Sequence, residues 1–253
     1  KQMKSLWNNR DFSPMLLGEV FEPFNSNDYI FEVKFDGARA IIFASPKKVQ
    51  IISRNKIDIT YLYPELQDIK KLVKSNVIFD GEIISMDKKT PSFSKLQKRM
   101  HLKDKNKIYK QSIENPVVFV CFDILYENKD LIDYPIEDRK KILNKYADTN
   151  YFFVSKYFKK HGKKMFSNIK KLNLEGIVAK KLGSNYEINT RSDSWLKIKN
   201  FKEETFFVGG YVEMKGGYSI SIILGEYRNN KFYYVGKVTL GKKQQLYKKI
   251  MKQ

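Results

Sequence analysis

Two kinds of apolar pattern alternate along the chain. Runs that are apolar at every position or at every second position cover residues 29–33, 38–43, 49–52, 77–84, 117–125, 151–154 and 176–179, and runs of this length read as strands. Apolar residues recur at helical spacing in 64–73, 92–99, 135–146 and 163–172. Pro135 suits a first helical turn, where its fixed φ is an advantage and its missing N–H has no intrahelical partner to lose. Paired strands at the front, without strict strand–helix–strand repetition, predict an α+β domain over residues 1–200. After Asn200 the texture changes. Residues 205–212, 218–227 and 231–238 read as strands divided by Gly216-Gly217 and Asn229-Asn230, with a short Lys-rich helix near 242–251. That is the pattern of a small β-barrel of the OB-fold kind, cut short, over residues 201–253.

Composition adds a partner to this picture. The 253 residues carry 48 Lys and Arg against 28 Asp and Glu, a net charge of +20. Residues 1–200 hold +14 of it and 201–253 hold +6, so the excess is not one basic tail, and a polyanion spanning two folded units is the expected partner. An apolar fraction of 42%, with 18 Phe and 16 Tyr, excludes a disordered basic chain. Of the cations 41 are Lys and seven Arg, so the rare Arg positions carry more information than the Lys runs. No apolar run reaches the roughly 18 residues of a membrane helix, and residues 1–10 lack the apolar core of a signal peptide. A cytoplasmic, nucleoid-associated location is expected. The single cysteine, Cys121, lies inside an apolar run and reads as a small buried hydrophobe; with only His101 and His161 beside it, the chain has no zinc cluster and no internal disulfide.

The chemistry begins at Lys34-Phe35-Asp36-Gly37. A lysine ending an apolar strand before an Asp-Gly turn presents its amine at the rim of a sheet. Downstream, in order, stand Ser53-Arg54-Asn55, Asp80-Gly81-Glu82, Phe122-Asp123, Glu175-Gly176-Ile177-Val178 and Trp195-Leu196-Lys197-Ile198-Lys199. Lys197 and Lys199 project to one side of their strand because side chains there repeat every second residue. Two cations on one face can hold a phosphate through a transfer reaction.

In that order these residues resemble the covalent nucleotidyltransferases: ATP-dependent DNA ligases, RNA ligases and mRNA capping enzymes. The strings at 13–16, 31–40, 93–99, 175–181 and 191–199 are similar to the ligase domain of the bacterial non-homologous end-joining DNA ligases that work with Ku. The resemblance implies an adenylation domain followed by an OB domain. It also implies Lys34, Asp36, Lys197 and Lys199 as the catalytic set, with AMP carried on Lys34. An ordinary lysine, near pKa 10.4, is about a thousandfold too protonated to be a nucleophile at neutral pH, roughly 4 kcal/mol to be offset by burial and a nearby cation.

Further roles follow from the same resemblance. Glu82 is expected at the ribose and at a metal, and Glu175 at the metal; two acids with no histidine suit Mg²⁺ or Mn²⁺. Phe122 is expected to stack on adenine, with Ile177-Val178 as an apolar lid on its other face, and Glu32 to read the adenine edge. Arg39 and Arg54 are expected at nucleic-acid phosphates or the ribose, with Arg191 supporting that region. The implied partners are nicked or broken double-stranded DNA, Ku, and polymerase or nuclease domains. The implied reaction is three phosphoryl transfers that seal the DNA backbone, in repair by end joining. RNA ligation or capping on the same scaffold is the alternative, and a non-catalytic nucleic-acid-binding module a more distant one.

Two departures stand out. Lys56 follows Ser53-Arg54-Asn55 where many family members have glycine, so a different turn is expected there. The basic segment that grips departing pyrophosphate late in the family's OB domain is not met before Gln253, so residues 201–253 are expected to be part of that domain.

Overall fold

The computed structural model describes residues 5–88, 90–201, 205–214, 219–241 and 244–250. Its strands are β1 (Leu16–Glu19), β2 (Ser26–Lys34), β3 (Ala38–Ala44), β4 (Val49–Ser53), β5 (Val77–Asp87), β6 (Thr90–Pro91), β7 (Val117–Glu127), β8 (Phe152–Val154), β9 (Tyr157–Lys160), β10 (Gly176–Lys181), β11 (Arg191–Lys199), β12 (Phe207–Glu213), β13 (Ser219–Arg228) and β14 (Lys231–Gly241). Its helices are α1 (Phe93–Met100), α2 (Lys105–Glu114), α3 (Ile136–Leu143), α4 (Gly162–Lys171) and α5 (Gln245–Ile250), with 3₁₀ segments at Thr60–Leu62 and Pro64–Leu72. The helix expected over 64–73 is thus the tighter 3₁₀ form, and Pro135 is the N-cap of α3 rather than its first helical residue. The chain divides into two units, Lys1–Asn200 and Phe201–Gln253.

Two sheets build the first unit. One has the order β1-β11-β10-β2-β9; the other runs β4-β3-β5-β7-β8, with β6 paired to β5. The strands read as continuous apolar runs because both their faces are buried. In β3, Ala40, Ile42 and Ala44 pack in a cluster with Leu66, Leu96 and Phe119, while Ile41 and Phe43 face a second cluster with Ile30, Tyr186 and Trp195. That second cluster joins the two sheets. Behind the five-stranded sheet, Phe31, Ile177, Ala179 and Ile198 pack against Met165, Phe166 and Ile169 of α4. Each such aliphatic side chain, removed from water, contributes about 1.5–3 kcal/mol. Cys121 is fully buried in the first cluster, as expected, and burial pushes its thiol up.

The second unit, by itself, is an antiparallel sheet of order β12-β13-β14 with the short α5. Ile220, Ile222 and Leu240 are buried on it, with Leu224, Tyr247 and Ile250 against them. The described strands do not close into a barrel, so the expected OB fold is seen here only as an open three-stranded meander. The expected Gly216-Gly217 turn and the ends of the 242–251 helix lie outside the described residues. Among the described residues no helix is long and apolar enough to cross a membrane.

Candidate active site

Register places the chemistry. β10 lies antiparallel between β2 and β11, so that Lys34, Gly176 and Lys199 form one cross-strand row, Glu32, Val178 and Lys197 the next, and Ile30, Lys180 and Trp195 a third. Residues directly opposite in a sheet share a face, and Lys34, Glu32, Val178, Lys180, Lys197 and Lys199 all line a cavity of about 560 Å³ between the two sheets. The opposite wall is supplied by the second sheet, with Arg39 on β3, Glu82 on β5 and Phe122 on β7. The volume is that of a nucleotide-sized pocket.

The amine of Lys34 lies 2.7 Å from Glu175 Oε1. Glu175 Oε2 is buried with no hydrogen-bond partner. Gly176, next after Glu175 and paired across the sheet with Lys34, leaves no room for a side chain, because a Cβ there would sit 2.2 Å from the Ile198 carbonyl oxygen. Burial pushes the Glu82 carboxyl up to about 7; Arg39 and Lys34 pull it down, and Glu175 and Asp80 push it further up. Two carboxyl groups beside the Lys34 amine, one with an unpartnered oxygen and the other unwilling to ionise, are a donor set short of a cation. They fit a divalent ion whose other ligands are phosphate oxygens and water. Among the described residues no group of three His, Cys, Asp or Glu side chains could hold a metal by itself.

Two further lysines line the cavity from β11. Lys197 Nζ is 3.5 Å and Lys199 Nζ 3.8 Å from the carboxylate of Glu19 at the end of β1. Sequence reasoning missed Glu19, whose link to these cations depends on the parallel pairing of β1 with β11.

Three expectations are corrected. Ile177 points away from the cavity into the α4-side core, and its neighbour Val178 is the apolar wall residue; one residue along a strand reverses the face. Asp36 is exposed in the turn after Lys34 and does not line the cavity. Arg39 lines the cavity, but its Nε and Nη2 form a two-pronged pair with the buried Asp80, at 2.6 and 2.7 Å, and its guanidinium lies 4.6 Å from the Phe122 ring centre. Tyr186 donates to the same Asp80 at 2.6 Å. Arg39 is therefore a fixed part of the wall rather than an open phosphate grip. Arg54 and Arg191 are exposed and line the cavity, and Arg191 also donates to the Leu17 carbonyl. Lys56 takes a φ of 63° and so adopts the left-handed conformation that glycine enters freely.

Glu32 is buried between two ammonium groups, Lys140 Nζ at 2.5 Å and Lys180 Nζ at 3.0 Å. Lys180 also lies 4.0 Å from the Trp195 ring centre, and burial pushes it down to about 8 against the upward pull of Glu32. Sequence reasoning missed both lysines. Lys180 was within reach of a period-two count from Val178, whereas Lys140 comes from a distant helix.

A family model described as ATP dependent DNA ligase domain matches residues 14–199. The SPbeta prophage-derived DNA ligase-like protein LigB of Bacillus subtilis is 34% identical over 204 residues, covering 79% of this chain and 72% of that protein. The multifunctional non-homologous end joining protein LigD of Mycolicibacterium smegmatis is 32% identical over 249 residues, covering 95% of this chain but 31% of its own length. Among solved structures, mycobacterial DNA ligase D complexed with ATP and MES superimposes with a TM-score of 0.67 at 26% identity, over 93% of this chain and 74% of that one. The ligase domain of M. tuberculosis LigD gives 0.66 at 26%, over 92% and 73%.

Proposed function

This chain belongs to the ATP dependent DNA ligase domain family, and from that premise we propose that it seals breaks in duplex DNA through AMP carried on Lys34. The observation that carries the reading is the row structure of the cavity: Lys34 and the Lys197–Lys199 pair share one face of one sheet, opposite Phe122 on the other. The amine of Lys34 attacks the α-phosphorus of ATP; a P–N bond forms, the bond to the β-phosphate oxygen breaks, and pyrophosphate leaves. AMP then passes to the 5′-phosphate at the break, freeing Lys34. The 3′-hydroxyl attacks that 5′-phosphate, AMP leaves, and the phosphodiester is closed.

Each residue's part follows from its place. Lys197 and Lys199 neutralise charge on the α-phosphate and can exchange Glu19 for it, since both ion pairs are long. Phe122 stacks on the adenine with Val178 on the opposing wall, and Glu32 faces the base edge. Glu82 serves the ribose, and Arg54 and Arg191 serve the DNA backbone at the cavity mouth. Glu175 and Glu82 would hold Mg²⁺ or Mn²⁺, which when bound offsets phosphate charge and favours the neutral amine. On this reading residues 1–200 are the adenylation domain and 201–253 part of an OB domain.

The matching family and the relatives named above are described as DNA ligase, DNA ligase-like or DNA end-joining proteins, which favours DNA ends over the RNA ligation or capping alternative. The likeness to LigD, named for non-homologous end joining, supports a place in that repair route; Ku and polymerase or nuclease domains are the partners proposed with it. The test is incubation with α-labelled ATP and Mg²⁺. An acid-labile labelled adduct that forms on the wild type, is absent from Lys34→Ala and is chased onto nicked DNA supports the reading. A label from GTP in place of ATP, or transfer to nicked RNA alone, would overturn it.

A further inference from the structure

Lys140, in the middle of α3, has no solvent-exposed side-chain surface and does not line the cavity. Its Nζ donates to the Phe122 carbonyl at 2.7 Å and lies 2.5 Å from Glu32 Oε1. Lys180 reaches the same two groups from the cavity side, at 3.2 and 3.0 Å. Glu32 belongs to β2 in one sheet, two residues before Lys34, and Phe122 to β7 in the other. Two ammonium groups thus staple the sheets together at the point where they form the base end of the cavity.

A staple of this kind is a poor device for stability. Two cations and one carboxylate taken out of water cost more than an apolar plug of the same size, and buried ion pairs are best attested as fixing one geometry among several. A second fully buried pair in the same unit provides a contrast. Arg99 binds Glu65 at 2.8 Å and the carbonyls of Leu62 and Asn115 at 2.9 and 2.8 Å, tying α1 to its neighbours with no part in the cavity wall.

We propose that Lys140 is a positioning residue for the nucleotide base: without touching the nucleotide, it sets the spacing between the Glu32 and Phe122 walls into which the base fits. The inference rests on the ligase reading only in taking ATP as the ligand. Lys180 and Glu32 reach the cavity themselves, so Lys140 is the member of the staple whose removal tests spacing alone.

The experiment measures ATP binding to the full chain by calorimetry and, separately, the ATP dependence of label uptake. Lys140→Met, similar in length but unable to donate or to balance Glu32, should raise the Kd for ATP at least about tenfold, with the saturated rate of label uptake reduced by less than about threefold. Lys140→Arg should return the Kd to within about threefold of wild type, and Arg99→Met should lower the Tm and leave the Kd unchanged. If Lys140→Met does not fold, Lys140→Gln replaces it with the same expectations. The inference is overturned if the Lys140 variant binds ATP as wild type does, if Arg99→Met raises the Kd equally, if Lys140→Arg fails to restore binding, or if the wild type binds no ATP. A wild type that binds ATP but takes no label refutes the ligase reading alone, because calorimetry still decides the role of Lys140.

Discussion

Nζ of Lys34 lies 2.7 Å from Oε1 of Glu175, while Oε2 of the same carboxylate is buried without a partner. One oxygen pairs with the amine proposed as the nucleophile and the other has no hydrogen-bond partner, so on that proposal Glu175 should matter more to the rate than to ATP binding. Glu175→Gln keeps the shape and removes the charge. Adenylation should slow by about a hundredfold or more, with ATP affinity changed by less than about fivefold. Calorimetry beside single-turnover labelling separates the two; a loss of affinity equal to the loss of rate would make Glu175 a ground-state contact.

Ile177 and Val178, adjacent on β10, face opposite sides of the sheet. Ile177→Ala should cost about 2–4 kcal/mol of stability by opening a cavity in the core beside α4, and should leave ATP affinity close to wild type. Val178→Ala should instead weaken ATP binding. Thermal melts and nucleotide titrations on both variants test the register; a larger ATP defect in Ile177→Ala would contradict it.

Lys180 has a folded pKa near 8 against an ordinary value of 10.5, because burial penalises its charge more than Glu32 compensates. Between those values the unfolded chain holds a proton that the folded chain has released. Stability therefore rises with pH across this window, and the cost of the buried charge is fully present below it. Relative to Lys180→Met, the wild type should gain about 2–3 kcal/mol between roughly pH 7 and pH 10. Denaturant melts of both proteins at several pH values measure the difference; a gap that does not change with pH would mean Lys180 stays charged throughout.

With a net charge of +20, binding to nicked duplex DNA should weaken steeply with salt, the log–log slope being about −0.9 per phosphate contact, and should vary little with sequence. Arg54→Ala, at the exposed mouth of the cavity, should flatten that slope by about one contact. Arg39→Ala should act differently. Its removal strands the buried Asp80 and should cost about 3–5 kcal/mol of stability, with no comparable change in slope. Fluorescence titrations at several salt concentrations, paired with melts, distinguish the two arginines; a slope flattened equally by both would restore Arg39 as a phosphate grip.

Much of this molecule is legible along the chain. Strands buried on both faces announce themselves as unbroken apolar runs, and Lys197 and Lys199 share a face because strand periodicity is a local property. The same locality hid other elements. The described chain has a helix at Lys105–Glu114 that the pattern missed, because Tyr109 and Ile113 are exposed while Ile108 and Ser112 are buried. β9 was missed because three of its four residues are exposed.

What periodicity leaves open is which of two faces meets the cavity. The amino-acid sequence establishes that Ile177 and Val178 oppose each other; only pairing with β2 and β11 decides that Val178 faces the cavity. Charge behaves in the same way. The sequence by itself determined a basic chain, a lysine ending an apolar strand before an Asp-Gly turn, and two lysines on one face of a later strand. Only the tertiary structure decided that Asp80 occupies Arg39 across 41 positions, and that Lys140 and Lys180 converge on Glu32. Electrostatic and packing energies depend on distance through space and on exclusion of water, and neither is a function of position along the chain.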